Sequence, residues 1–515
     1  MHRPGVSEAT REPATLSWRA APAGGARVRP WPGRYPAAAL AAVAAITALR
    51  LVWLAVQPAD LYPDEAQYWF WAQHPALGYY SKPPLIAWLI ALTTRAFGDG
   101  EFAIRLSAPL LHAAVAWFVY LIGTRLYDRR VGCWSAIAYA SLPGVSISAF
   151  IISTDAALLP CWAAALYAFI RAREESGARW WTAVGVAAGL GLLAKYAMAY
   201  WLMSAFALVL LAPGERCHLK PLAAAAALAL LIYLPNLWWN WHHSFVSYLH
   251  VRDNADIAGP LLHPKALLGF FAAQFGVFGP LTFAGLLAAV VSRAAFRDGR
   301  ACLLAVFSLP TLAMMLAVSL LSHAEPNWAA PTYVAAVVLV VAWVIGQGWR
   351  GWAGIAVALN LALAPAVFGG GAALAAAGIE LPAKYDPLHR LRGWRDLGRA
   401  VGASLAAHPG LPLVADDREL LAALIYYVRP HPWNALKWNP MRLVKDQWDL
   451  TDDLSHHPGE SFLIVTEHYG GDDLKRAFAE VTLAETVSVS PGPDGRRTYR
   501  IFVAKHFLGY PGDRR

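Results

Sequence analysis

The segment 62-YPDEAQYWFWAQHPALGYYSKPPLIAW-88 sets two adjacent carboxylates, Asp64 and Glu65, and one ammonium, Lys82, into an otherwise apolar and aromatic stretch. A carboxylate can take a proton from an attacking hydroxyl, and an ammonium can stabilise a departing phosphate. Acids and a cation in one loop therefore suit group transfer. A plainer account makes Asp64 the N-cap of a short helix, with Pro63 before it. An N-cap, however, needs neither a second acid nor a basic partner downstream. Lys82 also fits an interfacial anchor that snorkels to water. The double proline at 83–84 argues for more, because it fixes the backbone and aims the side chain before it.

Further candidates follow along the chain. Asp155, in 151-IISTDAALLP-160, opens an apolar run, either as a helix cap or as a functional acid. Lys195 interrupts the apolar stretch 180–212 and marks a tight hairpin, as an anchor or as an anion ligand. The loop 238-WWNWHHSFVSYLHVRDNAD-256 gathers His242, His243, His250 and Arg252 among aromatics. Its spacing matches no standard zinc site, and a divalent metal stays open. In 322-SHAEPNWAAP-331, His323 and Glu325 sit in a short loop, where function and belt chemistry are equally served.

These loops must be positioned by a membrane protein. The 515 residues are 57% hydrophobic and only 15% charged, with a mean hydropathy of +0.40; soluble domains carry about 25% charged residues. All of the net charge of +9 lies before residue 380, because 380–515 holds 18 basic and 18 acidic residues. The basic residues sit in short loops between apolar runs, which is a topology signal and not a nucleic-acid signal. Apolar runs at about 36–57, 103–124, 131–150, 156–171, 180–195, 197–212, 220–237, 266–292, 301–321, 329–346 and 351–377 give roughly eleven spans. The run 84–97 is short and reads as interfacial or re-entrant.

With an Arg-rich, disordered tail (1–35) in the cytoplasm and 84–97 not crossing, Arg125, Arg129, Arg130, Arg171, Arg173, Arg179, Arg216 and Arg293 all fall inside. The acids Asp64, Glu65, Asp155 and Glu325 then face outward. The expected organisation is an all-α polytopic membrane region over 36–379 and a C-terminal α/β soluble domain over 380–515, periplasmic in a Gram-negative cell. In that domain 411–415, 461–466 and 498–507 read as strands, 417–428 as a helix, and a charged helix begins near Asp472. It has no glycine-rich phosphate loop and reads as a cap or platform.

The order of these features resembles the GT-C class of polytopic glycosyltransferases that use lipid-phosphate sugars. It is most like the bacterial family 39 proteins related to protein O-mannosyltransferases and aminoarabinose transferases. Asp64-Glu65 resembles that family's Asp-Glu motif, Lys82-Pro83-Pro84 its Lys-Pro-Pro, Asp155 the acid heading a later span, 191-GLLAK-195 its Leu-x-x-Lys hairpin and 323-HAEPNW-328 its late loop motif. The resemblance covers roughly 36–350 and, more loosely, the tail. It implies about 11–13 transmembrane helices and transfer from a polyprenyl-phosphate donor to an acceptor hydroxyl of lipid A, lipopolysaccharide core, another glycan or protein, with inversion. It implies that Asp64 orients or deprotonates the acceptor with Glu65 in support. Lys82, with Lys195 or Arg252, holds the lipid phosphate, and Tyr80, Asp155, His323 and Glu325 contact substrate. No cofactor is required by this reading, and the partners are lipid-linked sugar, acceptor and membrane lipid.

The rival readings are a multi-span transporter or flippase and a glycan-binding scaffold. The sequence shows no repeat between halves, as many transporters do, and its notable charges crowd at one face.

Overall fold

The computed structural model describes residues 34–511 except 176, 255–261, 350, 379–381, 383–385, 387, 452 and 493–494. The tail expected over 1–35 thus lies outside the described residues up to 33, and so does the expected boundary at 379/380.

Helices fill the first part of the chain. Arg34–Val56, Glu101–Leu126, Thr154–Glu174, Arg216–His242 and Gly299–Leu321 are each long and apolar enough to cross a membrane. Shorter apolar helices lie at Leu85–Phe97, Ala178–Ala194, Met198–Leu211 and Thr332–Gly346. Several runs expected as spans are thus helical but short. The run 266–292 is not a single rod. Pro264–Val277 and Pro280–Val291 meet at 115°. Gly279 makes the corner with φ +84°, and a Cβ there would come within 2.2 Å of Asn360 Oδ1. The run 131–150 also divides, into Arg129–Ser141 and Pro143–Ser148, because Pro143 cannot continue the preceding ladder.

The bundle has two chemically distinct ends. One collects ion pairs between the short basic loops and glutamates: Arg125–Glu174 and Arg173–Glu215, both 2.5 Å. The other collects the functional candidates.

At that second end sits a five-stranded sheet ordered β2-β1-β3-β5-β4. Its strands are β1 (Leu413–Ala415), β2 (Leu436–Lys437), β3 (Phe462–Thr466), β4 (Phe478–Gly492) and β5 (Gly495–Phe507). β1 is parallel to β2 and β3, whereas β5 is antiparallel to both β3 and β4. β1 and β3, buried along their whole length, read as continuous apolar runs and are legible for that reason. β4 escapes sequence reading because it alternates Glu, Thr and Ser with apolar residues at a solvated edge. The charged helix expected near Asp472 is a single turn, Gly471–Leu474.

The helix Arg418–Tyr427 follows β1 and is capped by Asp417, whose carboxylate accepts from Glu419 N at 2.7 Å and Leu420 N at 3.2 Å. Its start lies at the carboxyl end of the parallel strands, where open α/β sheets place their ligands.

The sheet region shares one core with the first loop. Trp69 meets Tyr426 edge-on at 4.9 Å and stacks on Trp433 at 5.4 Å; Phe70 stacks on Trp448 at 5.1 Å. The run 68-YWFW-71 is therefore an internal joint between the two regions. Fully burying each such ring is worth roughly 1.5–3 kcal/mol.

Candidate active site

The helix Pro63–Gln73 carries the first acids. Pro63 occupies its first turn, where a missing N–H costs nothing, and Asp64 and Glu65 favour the positive end of the helix dipole. Asp64 is not the cap. That position belongs to Tyr62, whose N–H donates to Glu65 Oε2 at 2.9 Å.

The two neighbouring acids have different fates. Glu65 is fully buried and pairs with Arg105 at 2.7 Å, with both side chains inaccessible. It also accepts from Ile152 N at 2.9 Å. Arg105 spends its remaining donors on Ala59 O (3.2 Å) and Asp60 O (2.8 Å). Glu65 has no open side for a substrate hydroxyl. Of the expected pair only Asp64 keeps an open side, and Glu65 ties the first loop to the segment before Asp155.

Asp64 remains half-exposed and pairs with Arg418 at 2.7 Å. Arg418 also donates to Gln67 Oε1 at 2.6 Å, one turn further along the same helix. Burial works against the Arg418 charge, and Asp64 more than restores it. Sequence reading missed Arg418 because it lies in a region taken as a platform. The available signal was the Asp-Arg step where β1 runs into a helix, a ligand-facing turn in α/β sheets.

Lys82 closes the other side. Its loop is clamped from the Leu219–His242 and Val246–Asn254 helices: Asn236 Nδ2 donates to Leu77 O at 2.8 Å, and Ser247 Oγ donates to Tyr79 O at 2.8 Å. Gly78 permits that approach, since a Cβ would lie 2.6 Å from the Trp239 ring and 2.7 Å from Asn236 Nδ2. Gly78→Ala is expected to push the loop off its clamp. Displacement of about 1 Å is worth up to roughly a hundredfold in rate. Steady-state kinetics would check this, and an unchanged rate would mean that the clamp does not set the position of Lys82.

The Lys82 ammonium is half-buried and has no acceptor within hydrogen-bond distance among the described residues. Burial lowers its pKa from the ordinary lysine value, nearby Lys195 adds to that, and Asp64 and Asp155 oppose it. The same groups thus share one electrostatic field. The cation exists below its lowered pKa and is lost as pH rises through it. Any anion held by this ammonium is therefore expected to bind less well on the alkaline side earlier than an ordinary lysine would dictate. Lys82→Arg, which stays charged, should move that limb upward in a pH profile of anion binding.

Asp155 and Lys195 pair at 2.6 Å. Asp155 is the second residue of its helix, behind Ser153 as cap, and also accepts from Asn327 Nδ2 at 2.7 Å. The late loop motif thus delivers Asn327 to the centre. His323 and Glu325 lie on the surface and pair with each other at 3.1 Å. Arg252 is likewise exposed and pairs with Asp253 at 2.9 Å. Tyr80 joins its loop to the sheet region: its N–H donates to Gln447 Oε1 at 2.8 Å and its phenol to Val444 O at 3.2 Å. The His250 ring lies edge-on to it at 5.1 Å.

Among the described residues no group of three or more His, Cys, Asp or Glu is placed to hold a metal ion. His242 and His243 have ring nitrogens against the carbonyls of Trp238 (3.0 Å) and Trp239 (2.8 Å) of their own helix.

A helical bundle gathers a carboxylate, an ammonium without an acceptor among the described residues, and two ion pairs at one end, an arrangement that suits group transfer. Comparison with known proteins specifies the kind. A family model described as dolichyl-phosphate-mannose-protein mannosyltransferase matches residues 81–239. The lipid A galacturonosyltransferase RgtD of Rhizobium johnstonii is 34% identical over 80% of this chain and 87% of its own length. An undecaprenyl phosphate-alpha-4-amino-4-deoxy-L-arabinose arabinosyl transferase of Pseudomonas savastanoi pv. phaseolicola is 27% identical, over 43% of this chain and 47% of its own. The crystal structure of ArnT from Cupriavidus metallidurans bound to undecaprenyl phosphate superposes with a TM-score of 0.61 at 16% identity, over 91% of this chain and 98% of that one. The chain belongs to the GT-C family of polytopic glycosyltransferases that use polyprenyl-phosphate sugar donors.

Proposed function

We propose that this protein transfers a sugar from a polyprenyl-phosphate donor to a hydroxyl of lipid A or lipopolysaccharide at the outer face of the inner membrane, with its amino-terminal tail in the cytoplasm and the sheet region in the periplasm. The observation that carries the mechanism is the placement of half-exposed Asp64 and unpaired Lys82 in one electrostatic field. The acceptor hydroxyl attacks the anomeric carbon while its proton passes to Asp64. The bond from that carbon to the phosphate oxygen breaks, and its electron pair leaves with polyprenyl phosphate, held by Lys82. In-line displacement inverts the anomeric configuration. Arg418 orients Asp64, and the Asp155–Lys195–Asn327 set borders the donor sugar. The relative matched over most of the chain is named for galacturonosyl transfer to lipid A, so a hexuronic-acid donor is the first to offer.

The test is release of free polyprenyl phosphate, followed by mass spectrometry, from purified protein given a panel of polyprenyl-phosphate sugars and lipopolysaccharide. Release by wild type and none by Lys82→Ala supports the reading. Folded wild-type protein that turns over no donor in the panel would sink it in favour of transport.

A further inference from the structure

A second recess lies beside the carboxylate–ammonium centre, between the aromatic helix Pro63–Gln73, the end of the helix Leu219–His242 and the sheet region. Its volume is about 540 Å³, within the ordinary range of ligand sites. Four tryptophans line it, Trp71, Trp239, Trp433 and Trp448, together with amides and a hydroxyl from Asn434, Gln447 and Thr451. Its lining carries one carboxylate, Glu460, and three imidazoles, His74, His243 and His457, with no lysine or arginine.

The walls are held rigid by ring stacking. Trp71 lies flat on Tyr79 with centroids 4.5 Å apart and planes 3° from parallel; Trp239 stacks on His243 at 4.0 Å, and Trp433 on Trp69 at 5.4 Å. Trp71 and Trp448 are almost wholly buried, and their indole N–H groups have no acceptor among the described residues. Both nitrogens are closed off by the protein itself, so these rings act as fixed walls.

Flat aromatic walls with the amides of Asn434 and Gln447 and the Thr451 hydroxyl match the faces and hydroxyls of a sugar ring. An acyl chain would strand the amides, and a phosphate would meet no lysine or arginine and would face the Glu460 carboxylate. The recess is joined to the reaction centre by Gln447, which lines it and accepts from Tyr80 N, two residues before Lys82. Gly78 and Tyr79, also in its lining, belong to the Lys82 loop.

We propose that this recess binds uncharged saccharide rings of the acceptor glycan, at a distance from the hydroxyl that reacts. The proposal rests on the transferase reading above and adds a subsite to it. Binding there places the glycan against the Lys82 loop, so its energy goes to orienting the acceptor.

Full-length protein in lipid nanodiscs, free of glycoside detergent, would be examined by saturation-transfer NMR with chitobiose and maltose as neutral probes and inorganic phosphate as competitor. Wild type and Asp64→Asn should both transfer saturation to the disaccharide ring protons, and phosphate should not displace them. Trp433→Ala removes a half-exposed ring and should weaken the signal by about two- to twelvefold, since an aromatic contact is worth roughly 0.5–1.5 kcal/mol. In the transfer assay it should raise acceptor KM about tenfold, a difference of about 1.4 kcal/mol, with a smaller effect on kcat. Folded wild type giving no disaccharide signal, equal signal in Trp433→Ala, or displacement by phosphate would each overturn the proposal. Transfer that needs Lys82 but no disaccharide binding removes the subsite alone. Disaccharide binding without turnover of any donor removes the transferase reading alone.

Discussion

Asp64→Asn is expected to reduce sugar transfer by about a hundred- to ten-thousandfold, the span ordinarily assigned to a positioned general base, while leaving the protein folded and able to bind donor. The substitution keeps the size of the side chain and one oxygen for Arg418, and removes the group proposed to take the proton. Three features of the structure separate this from a loss of stability. Asp64 is half-exposed, its helix is capped through Tyr62 and Glu65, and the Trp69–Trp433 and Phe70–Trp448 stacks hold the helix without it. Donor binding, followed by protection of the lipid phosphate or by calorimetry, should be near wild type. Retained transfer in Asp64→Asn would move the base elsewhere, and Asp155 is the remaining carboxylate in the same field.

The second large effect is on stability. Arg105→Met leaves the Glu65 carboxylate enclosed with no counter-charge, which costs about 3–5 kcal/mol for a buried pair. The loss should appear as a sharply lower melting temperature and poor recovery of folded protein. The double variant Glu65→Leu/Arg105→Leu replaces both charges by apolar groups, and such replacements are often neutral. Partial recovery is therefore expected. Recovery falls short of complete because Glu65 also satisfies Tyr62 N and Ile152 N. If Arg105→Met were as stable as wild type, the pair would not be the tie between the first loop and the segment before Asp155.

The site was legible where chemistry and local sequence coincide. Lys82 before two prolines, Asp155 at the head of an apolar run, and Lys195 inside one are charges that membrane surroundings make conspicuous. Asp64 and Glu65 looked alike, because sequence spacing does not reveal which of two neighbours turns toward Arg105. Arg418 was hidden by sequence distance. His323 and Glu325 drew attention because they titrate, whereas the residue of that loop that reaches Asp155 is the neutral Asn327. The fold shows the same division. Apolar periodicity finds the helices and the buried strands, but the 115° corner at Gly279 and the edge strand β4 depend on packing partners from elsewhere in the chain.

The bridge from Arg418 to Asp64 has a consequence for how the protein is made. Its two ends are 354 residues apart in the chain. A ribosome therefore delivers the carboxylate to the membrane long before it delivers the arginine that pairs with it, and that arginine is set only when the sheet has closed around β1. During biogenesis the half-synthesised chain thus carries a reactive loop without its clamp. With Arg418 orienting Asp64 as proposed, activity is expected to begin only when the fold is complete.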